Sequence, residues 1–164
     1  MRILGIDPGL AIIGYGIIDF FGNSFKVIDY GQINTLAKTP ITDRLNKIYS
    51  DMNKLIETYK PDDIAFEELF FNKNAKTVID VAQARGVEVL VARQFTSNIY
   101  EYTPLQIKKS LVGYGRATKD QIQYMVKVLL NLSEIPKPDD VADALAVAVT
   151  HGSSINFKES FRMI

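Results

Sequence analysis

The 164-residue chain reads as a single α/β domain: a mixed sheet of three antiparallel strands followed by parallel strands, with helices on both faces. Three observations predict it. Strand-like runs at 2–7, 13–20 and 26–33 are joined by the turn signals Pro8-Gly9 and Gly22-Asn23, and connections that short belong to antiparallel neighbours. The apolar pattern then changes to helical spacing, with Ile41, Leu45, Ile48, Met52, Leu55 and Ile56 on one face. Beyond it short strands and helices alternate, the arrangement of crossover connections.

The later elements follow in order. Thr39-Pro40 suits the start of the first helix as N-cap and first helical residue, and Pro61 marks its end. A short buried strand near 63–68 leads to a helix from about 74 to 92 and a strand near 97–102. Pro104 opens a short helix to about Leu111, which the loop Gly113-Tyr114-Gly115-Arg116-Ala117 interrupts. Thr118 with Gln121 forms a capping box for a helix to about Leu130. Pro136 and Pro138 bracket a linker before the last helix, 140–150. The domain is expected to span 1–152, leaving 153–164 as a tail without periodicity that is expected to be mobile.

With no cysteine, disulfides and thiolate metal sites are excluded. The first residues enter a strand at once, and the apolar runs fall far short of the ~20 residues of a bilayer span. A cytoplasmic protein with no membrane partner is expected. Nineteen basic and nineteen acidic residues cancel, which taken alone argues against a nucleic-acid binder. Their distribution argues otherwise. Between 102 and 127, Lys108, Lys109, Arg116, Lys119 and Lys127 face only Asp120, a local excess of four positive charges. A neutral total can hide a basic face around an acidic pit.

Four acids stand where apolar surface is expected: Asp7 in ILGIDPG, Glu67 in IAFEELF, and Asp140 and Asp143 in DDVADALAVAVT. Buried carboxylates are costly unless compensated. Taken singly, each has a plain reading. Asp7 can open a turn, Glu67 can end a strand in solvent, and Asp139 or Asp140 can cap a helix. Asp143 is harder to dismiss, because it lies one turn into a helix made almost wholly of Val, Ala and Leu. Strand alternation puts Glu67 and Glu68 on opposite faces, so only one of them is expected to join Asp7. As a set, the four offer oxygen ligands of the kind a hard divalent cation takes. Two such ions can drive phosphodiester hydrolysis.

These same segments, with GYGIID, the NKNA that follows AFEELF, QARG, KKSLVGYG and DDVADALAVAVTH, resemble the RuvC family of bacterial Holliday-junction resolvases, in register from the first strand to His151. The resemblance implies an RNase H-like fold and a homodimeric endonuclease that nicks opposed strands of four-way junction DNA in recombination and repair. It implies Mg²⁺ as cofactor, two per subunit with Mn²⁺ able to substitute, and the RuvA–RuvB branch-migration complex as a further partner. The family's four catalytic, metal-holding carboxylates fall on Asp7, Glu67, Asp140 and Asp143. Its junction-contacting phenylalanine falls on Phe70, and its basic contacts on Lys108 and Lys119. Phe71 departs from the residue other members often carry, so either ring is a candidate for stacking on bases. Lys76 and Arg116 complete the expected DNA-binding set.

The residues themselves agree in kind. Phe70-Phe71 follows a carboxylate strand directly, where exposed rings can stack on unpaired bases. Lys108, Lys109, Arg116 and Lys119 flank a glycine loop able to approach a phosphate backbone. His151, the sole histidine, is read as a cap at a helix C-terminus and given no catalytic role. An ATP-binding protein of the actin type would need two lobes, too many for 164 residues. A non-catalytic junction binder would not collect acids that repel phosphate. Related exonucleases commonly carry Asp-x-Glu on the first strand, which Ile6-Asp7-Pro8-Gly9 lacks.

Overall fold

The computed structural model describes residues 1–69 and 75–163. Its single sheet has five strands, β1 (Arg2–Asp7), β2 (Ile12–Phe21), β3 (Ser24–Asn34), β4 (Asp63–Glu67) and β5 (Ile99–Tyr102), in the order β3-β2-β1-β4-β5. The first three pair antiparallel, and β1–β4 and β4–β5 pair parallel. The expected mixed sheet is present, with β1 as the strand where the two modes meet.

Helices α1 (Ile41–Tyr59) and α2 (Ala75–Phe95) cover one face; α3 (Pro104–Val112), α4 (Lys119–Leu129) and α5 (Asp139–Ser153) cover the other. The two-residue period of the strands sorts the side chains between these layers. Leu4, Ile6, Ile64, Phe66 and Ile99 join the core beneath α1 and α2. Ile3, Ala65, Tyr100 and Tyr102 join the core beneath α5. By the same alternation, Asp7 and Glu67 lie on the α5 side of the sheet.

Several helix boundaries were visible in the chain. Thr118 and Gln121 exchange the two hydrogen bonds of a capping box, and Thr103 and Gln106 do the same at α3. Gly113, at φ 81°, ends α3 in the left-handed conformation that glycine adopts without strain. One expectation is corrected. Helix α1 begins at Ile41, with Pro40 at the cap and no side-chain capping bond, so Thr39 is not its N-cap. Its hydroxyl instead donates back to Leu36 O. The tail makes defined contacts in this structure. Residues Ile155–Phe161 form a 3₁₀ helix, and the chain then lies along β5: Tyr100 and Arg162 form an antiparallel bridge, and Met163 N–H donates to Ile99 O. Lys158 reaches Asp63 at 2.7 Å. The segment lacks periodicity because single contacts hold it, polar ones from Lys158 and Arg162 and apolar ones from Phe161, whose ring lies 4.7 Å from that of Tyr102, and Met163.

Candidate active site

Helix α5 is buried nearly all round, from Val141 to Gly152 except at Asp143. It lies unusually close to the sheet because glycines line its path. A Cβ on Gly5 would stand 2.2 Å from Ala144 O, and one on Gly14 would stand 1.9 Å from Asp140 O. Gly14 is the register partner of Asp7. The small residues therefore bring the first turn of α5 down beside the end of β1. This close approach places Asp140 and Asp143 near Asp7 and Glu67.

The electrostatics show the grouping. Burial first, then the charges of Glu67, Asp143 and Asp140, push the Asp7 carboxyl up to about 8. Burial and then Asp143 push Glu67 up to about 7, against the opposing pull of Lys119 and Lys108. Asp143 is raised chiefly by burial, and an ion pair to Lys119 at 2.9 Å counters it. Lys119 is the first residue of α4, where the helix dipole disfavours a cation; Asp143, with Asp139 at 3.4 Å, supplies the compensation. Asp139 also accepts from Lys137 at 2.9 Å. Neither Asp139 nor Asp140 caps α5, whose N-cap residue is Pro138, so the capping explanation for this pair does not apply.

Glu67, Lys108, Lys119 and Asp143 line a cavity of about 200 Å³ with Pro104, Ile107, Ile122 and Ala146. Glu68 leaves in the other direction, into a pocket with Leu69, Ala82, Arg85 and Glu101. One glutamate of the pair joins the acidic group, as alternation requires. Arg116 is exposed on the loop between α3 and α4. Phe70 and Phe71 lie outside the described residues, and Lys76 falls in α2 with its side chain likewise outside them.

Among the described residues, no three acids or histidines already stand as a ready-made set of metal ligands. The chemistry of the group nevertheless fits a hard divalent cation. All its donors are carboxylate oxygens, and burial and mutual repulsion raise the proton affinity of Asp7 and Glu67, which a cation would relieve. Lys119 is a single charge against four acids.

His151 is not a helix cap. It is fully buried at the opposite end of α5, about 16 Å along the axis from Asp140. Its Nε2 meets Asp63 Oδ2 at 2.9 Å, its Nδ1 meets the Tyr102 hydroxyl at 2.8 Å, and its ring lies against Tyr100. These contacts make it a structural hub beneath the sheet, remote from the carboxylates. Among the described residues, no helix is long and apolar enough to cross a membrane.

A profile of one family, described as crossover junction endodeoxyribonuclease RuvC, matches residues 3–151. A curated protein with the same description, from Alkaliphilus oremlandii, is 58% identical over 163 residues, 99% of either chain. Among solved structures, RuvC of Thermus thermophilus superposes with a TM-score of 0.87 at 30% identity, covering 95% of this chain and 96% of that one. A structure of T. thermophilus RuvC in complex with a Holliday junction substrate matches at the same TM-score and 28% identity, over the same shares of both chains.

Proposed function

Because the chain belongs to the RuvC family of crossover junction endodeoxyribonucleases, we propose that its substrate is the four-way DNA junction and that Asp7, Glu67, Asp140 and Asp143 are its catalytic carboxylates. The observation that carries the assignment is the crowding of these acids, from β1, β4 and α5, at one end of the sheet, with Lys108 and Lys119 beside them.

The four carboxylates would hold Mg²⁺, two ions per subunit, with Mn²⁺ able to substitute. Bound there, the cation supplies Lewis acidity toward the phosphodiester and toward the water that attacks it. The chain's own residues do the rest. Asp7, on the central strand, and Glu67, on its parallel neighbour, set the floor of the site. Asp140 and Asp143, one helical turn apart, close it from above. Lys108 and Lys119 attract the phosphate backbone, and Lys119 also tempers the charge on Asp143. Arg116 extends that basic edge. Phe70 or Phe71, directly after the Glu67 strand, would stack on bases opened at the junction centre, with Lys76 on the adjoining helix as a further phosphate contact.

Symmetric nicks on a four-way junction require two sites related by a two-fold axis, so the working unit is a homodimer. Ile79 and Leu90, exposed and three helical turns apart on α2, offer an apolar surface that such a dimer can bury.

The test compares a labelled synthetic four-way junction with a matched linear duplex, each with Mg²⁺ and with chelator. Paired nicks confined to the junction and to the metal are expected. Asp7→Asn should abolish them while leaving junction binding intact. Full cleavage by that variant would overturn the carboxylate assignment, and equal cleavage of the linear duplex would overturn the substrate.

A further inference from the structure

Helix α2 carries a glutamate that the carboxylate site does not use. Glu88 is fully buried, with a relative exposure of 0%, on the face of α2 that also buries Ala84, Val91 and Ala92. Its neighbours in sequence, Val87 and Val89, mark an apolar helix into which a carboxylate has been set. One oxygen, Oε1, accepts a hydrogen bond from Gly9 N–H at 3.4 Å, across 79 residues of chain. The other, Oε2, is buried without a partner among the described residues. An unpaired buried oxygen is destabilising, so stability alone does not account for a glutamate at this position.

Its partner is informative. Gly9 is two residues beyond Asp7, in the turn that carries the chain off the end of β1. That turn is tight, since a Cβ on Gly9 would stand 2.2 Å from Ile12 O. The carboxylate of Asp7 faces α5, while the turn after it leans toward α2. Burial pushes the Glu88 carboxyl up to about 8, against the Gly9 hydrogen bond and the charge of Arg85. A neutral acid there still accepts from a backbone amide through its carbonyl oxygen.

We propose that Glu88 is a positioning residue for the active site: by holding Gly9 N–H, it fixes the Pro8–Gly9 turn against α2 and so sets where the Asp7 carboxylate is delivered. The inference rests on the assignment of Asp7 as a catalytic carboxylate. It adds a tie from the opposite face of the sheet, through a residue that touches neither substrate nor cation. Catalytic groups displaced by about 1 Å lose on the order of 100-fold in rate, so a single hydrogen bond at this turn matters to cleavage.

Two variants and one backbone probe test it. Glu88→Leu keeps the volume but removes the acceptor; Glu88→Gln keeps a carbonyl acceptor. In the metal-free protein, the Gly9 amide should exchange with solvent slowly in wild type and in Glu88→Gln, and at least about 10-fold faster in Glu88→Leu. Single-turnover cleavage of a four-way junction should fall about 10- to 100-fold in Glu88→Leu and recover in Glu88→Gln. Junction affinity in chelator and the thermal midpoint of Glu88→Leu should not fall. Equal Gly9 exchange in wild type and Glu88→Leu, or wild-type cleavage by Glu88→Leu, would overturn the proposal. So would a loss of cleavage matched by a loss of stability with Gly9 exchange unchanged, which would leave Glu88 only a packing role. Should Glu88→Leu fail to fold, Gly9 exchange in wild type decides: an unprotected amide removes the tie. That arm needs no substrate, so it stays readable even if the junction assignment fails.

Discussion

The backbone of Gly14 lies so close under Asp140 that a single added methyl would stand 1.9 Å from the Asp140 carbonyl oxygen. The acidic helix is therefore seated by the absence of a side chain on β2. Gly14→Ala should lift the first turn of α5 and carry Asp140 and Asp143 away from Asp7. Junction cleavage should drop by 100-fold or more, roughly the penalty of misplaced catalytic groups, and overpacking should cost about 1–3 kcal/mol of stability. Cleavage assays and urea unfolding of the variant check both. A fully active Gly14→Ala protein would show that the helix is not held by this contact.

Asp7 should make the metal-free protein less stable as pH rises. Its ordinary value is 3.8 and its folded value about 8, so between those limits the folded state keeps a proton that the unfolded chain releases. Stability then falls through that window as pH increases. Asp7→Asn should raise the unfolding free energy at pH 8 in chelator by on the order of a few kcal/mol, with a higher melting temperature, and the gain should vanish near pH 4. Adding Mg²⁺ should stabilise wild type more than the variant. Thermal melts across pH with and without metal decide it.

Lys119 pairs with the Asp143 and Asp139 carboxylates, and in the proposed function it also meets an incoming phosphate. It lowers the proton affinity of both Asp7 and Glu67. Lys119→Ala should therefore move the acid limb of the pH–rate profile to higher pH. If the same ammonium also meets DNA, the slope of log binding constant against log salt should shrink by about one. An unchanged slope would restrict Lys119 to the carboxylate role.

His151 predicts the opposite pattern. Removing it leaves Asp63, only 1% exposed, with Lys158 as its one remaining side-chain partner among the described residues. His151→Ala removes a buried hydrogen-bond partner of Asp63 and Tyr102 and should cost about 1–3 kcal/mol of stability while leaving cleavage per folded molecule unchanged. The folded pKa of Asp63 is held below its ordinary 3.8, against burial, by His151 and then Lys158. That contribution is present above 3.8 and is lost as pH falls, so the variant should also unfold at a higher pH in acid titration. A kinetic defect in folded His151→Ala would contradict a purely structural role.

The residues whose signal is local were legible in the chain. The antiparallel strands announce themselves by alternation and by tight turns, and α4 by Thr118 and Gln121. Asp143 was conspicuous because the helix around it is otherwise apolar. Most contacts that escaped notice join distant segments. His151 meets Asp63 across 88 residues and Glu88 meets Gly9 across 79, and no period in the sequence records either. The same limit applies to the tail, where Lys158, Arg162 and Met163 dock one contact at a time. Thr39 was misread for a different, local reason: its hydroxyl can serve either the helix or the preceding turn, and it donates to the turn carbonyl of Leu36 three residues back.

The segment that follows α5 has a consequence for solubility. The sheet has two outer strands, β3 and β5, and an outer strand with open hydrogen-bonding groups is a template for another chain. At β5 the Tyr100–Arg162 bridge and the Met163 amide occupy that border. Proteolytic nicking after Ser154 would strip this cover and bare Tyr100 and Tyr102, two of the largest fully buried side chains. The clipped protein would keep Asp7, Glu67, Asp140 and Asp143 and expose an open strand border prone to edge-to-edge aggregation. The ten residues after Ser154 thus guard one border of the sheet without entering the carboxylate group.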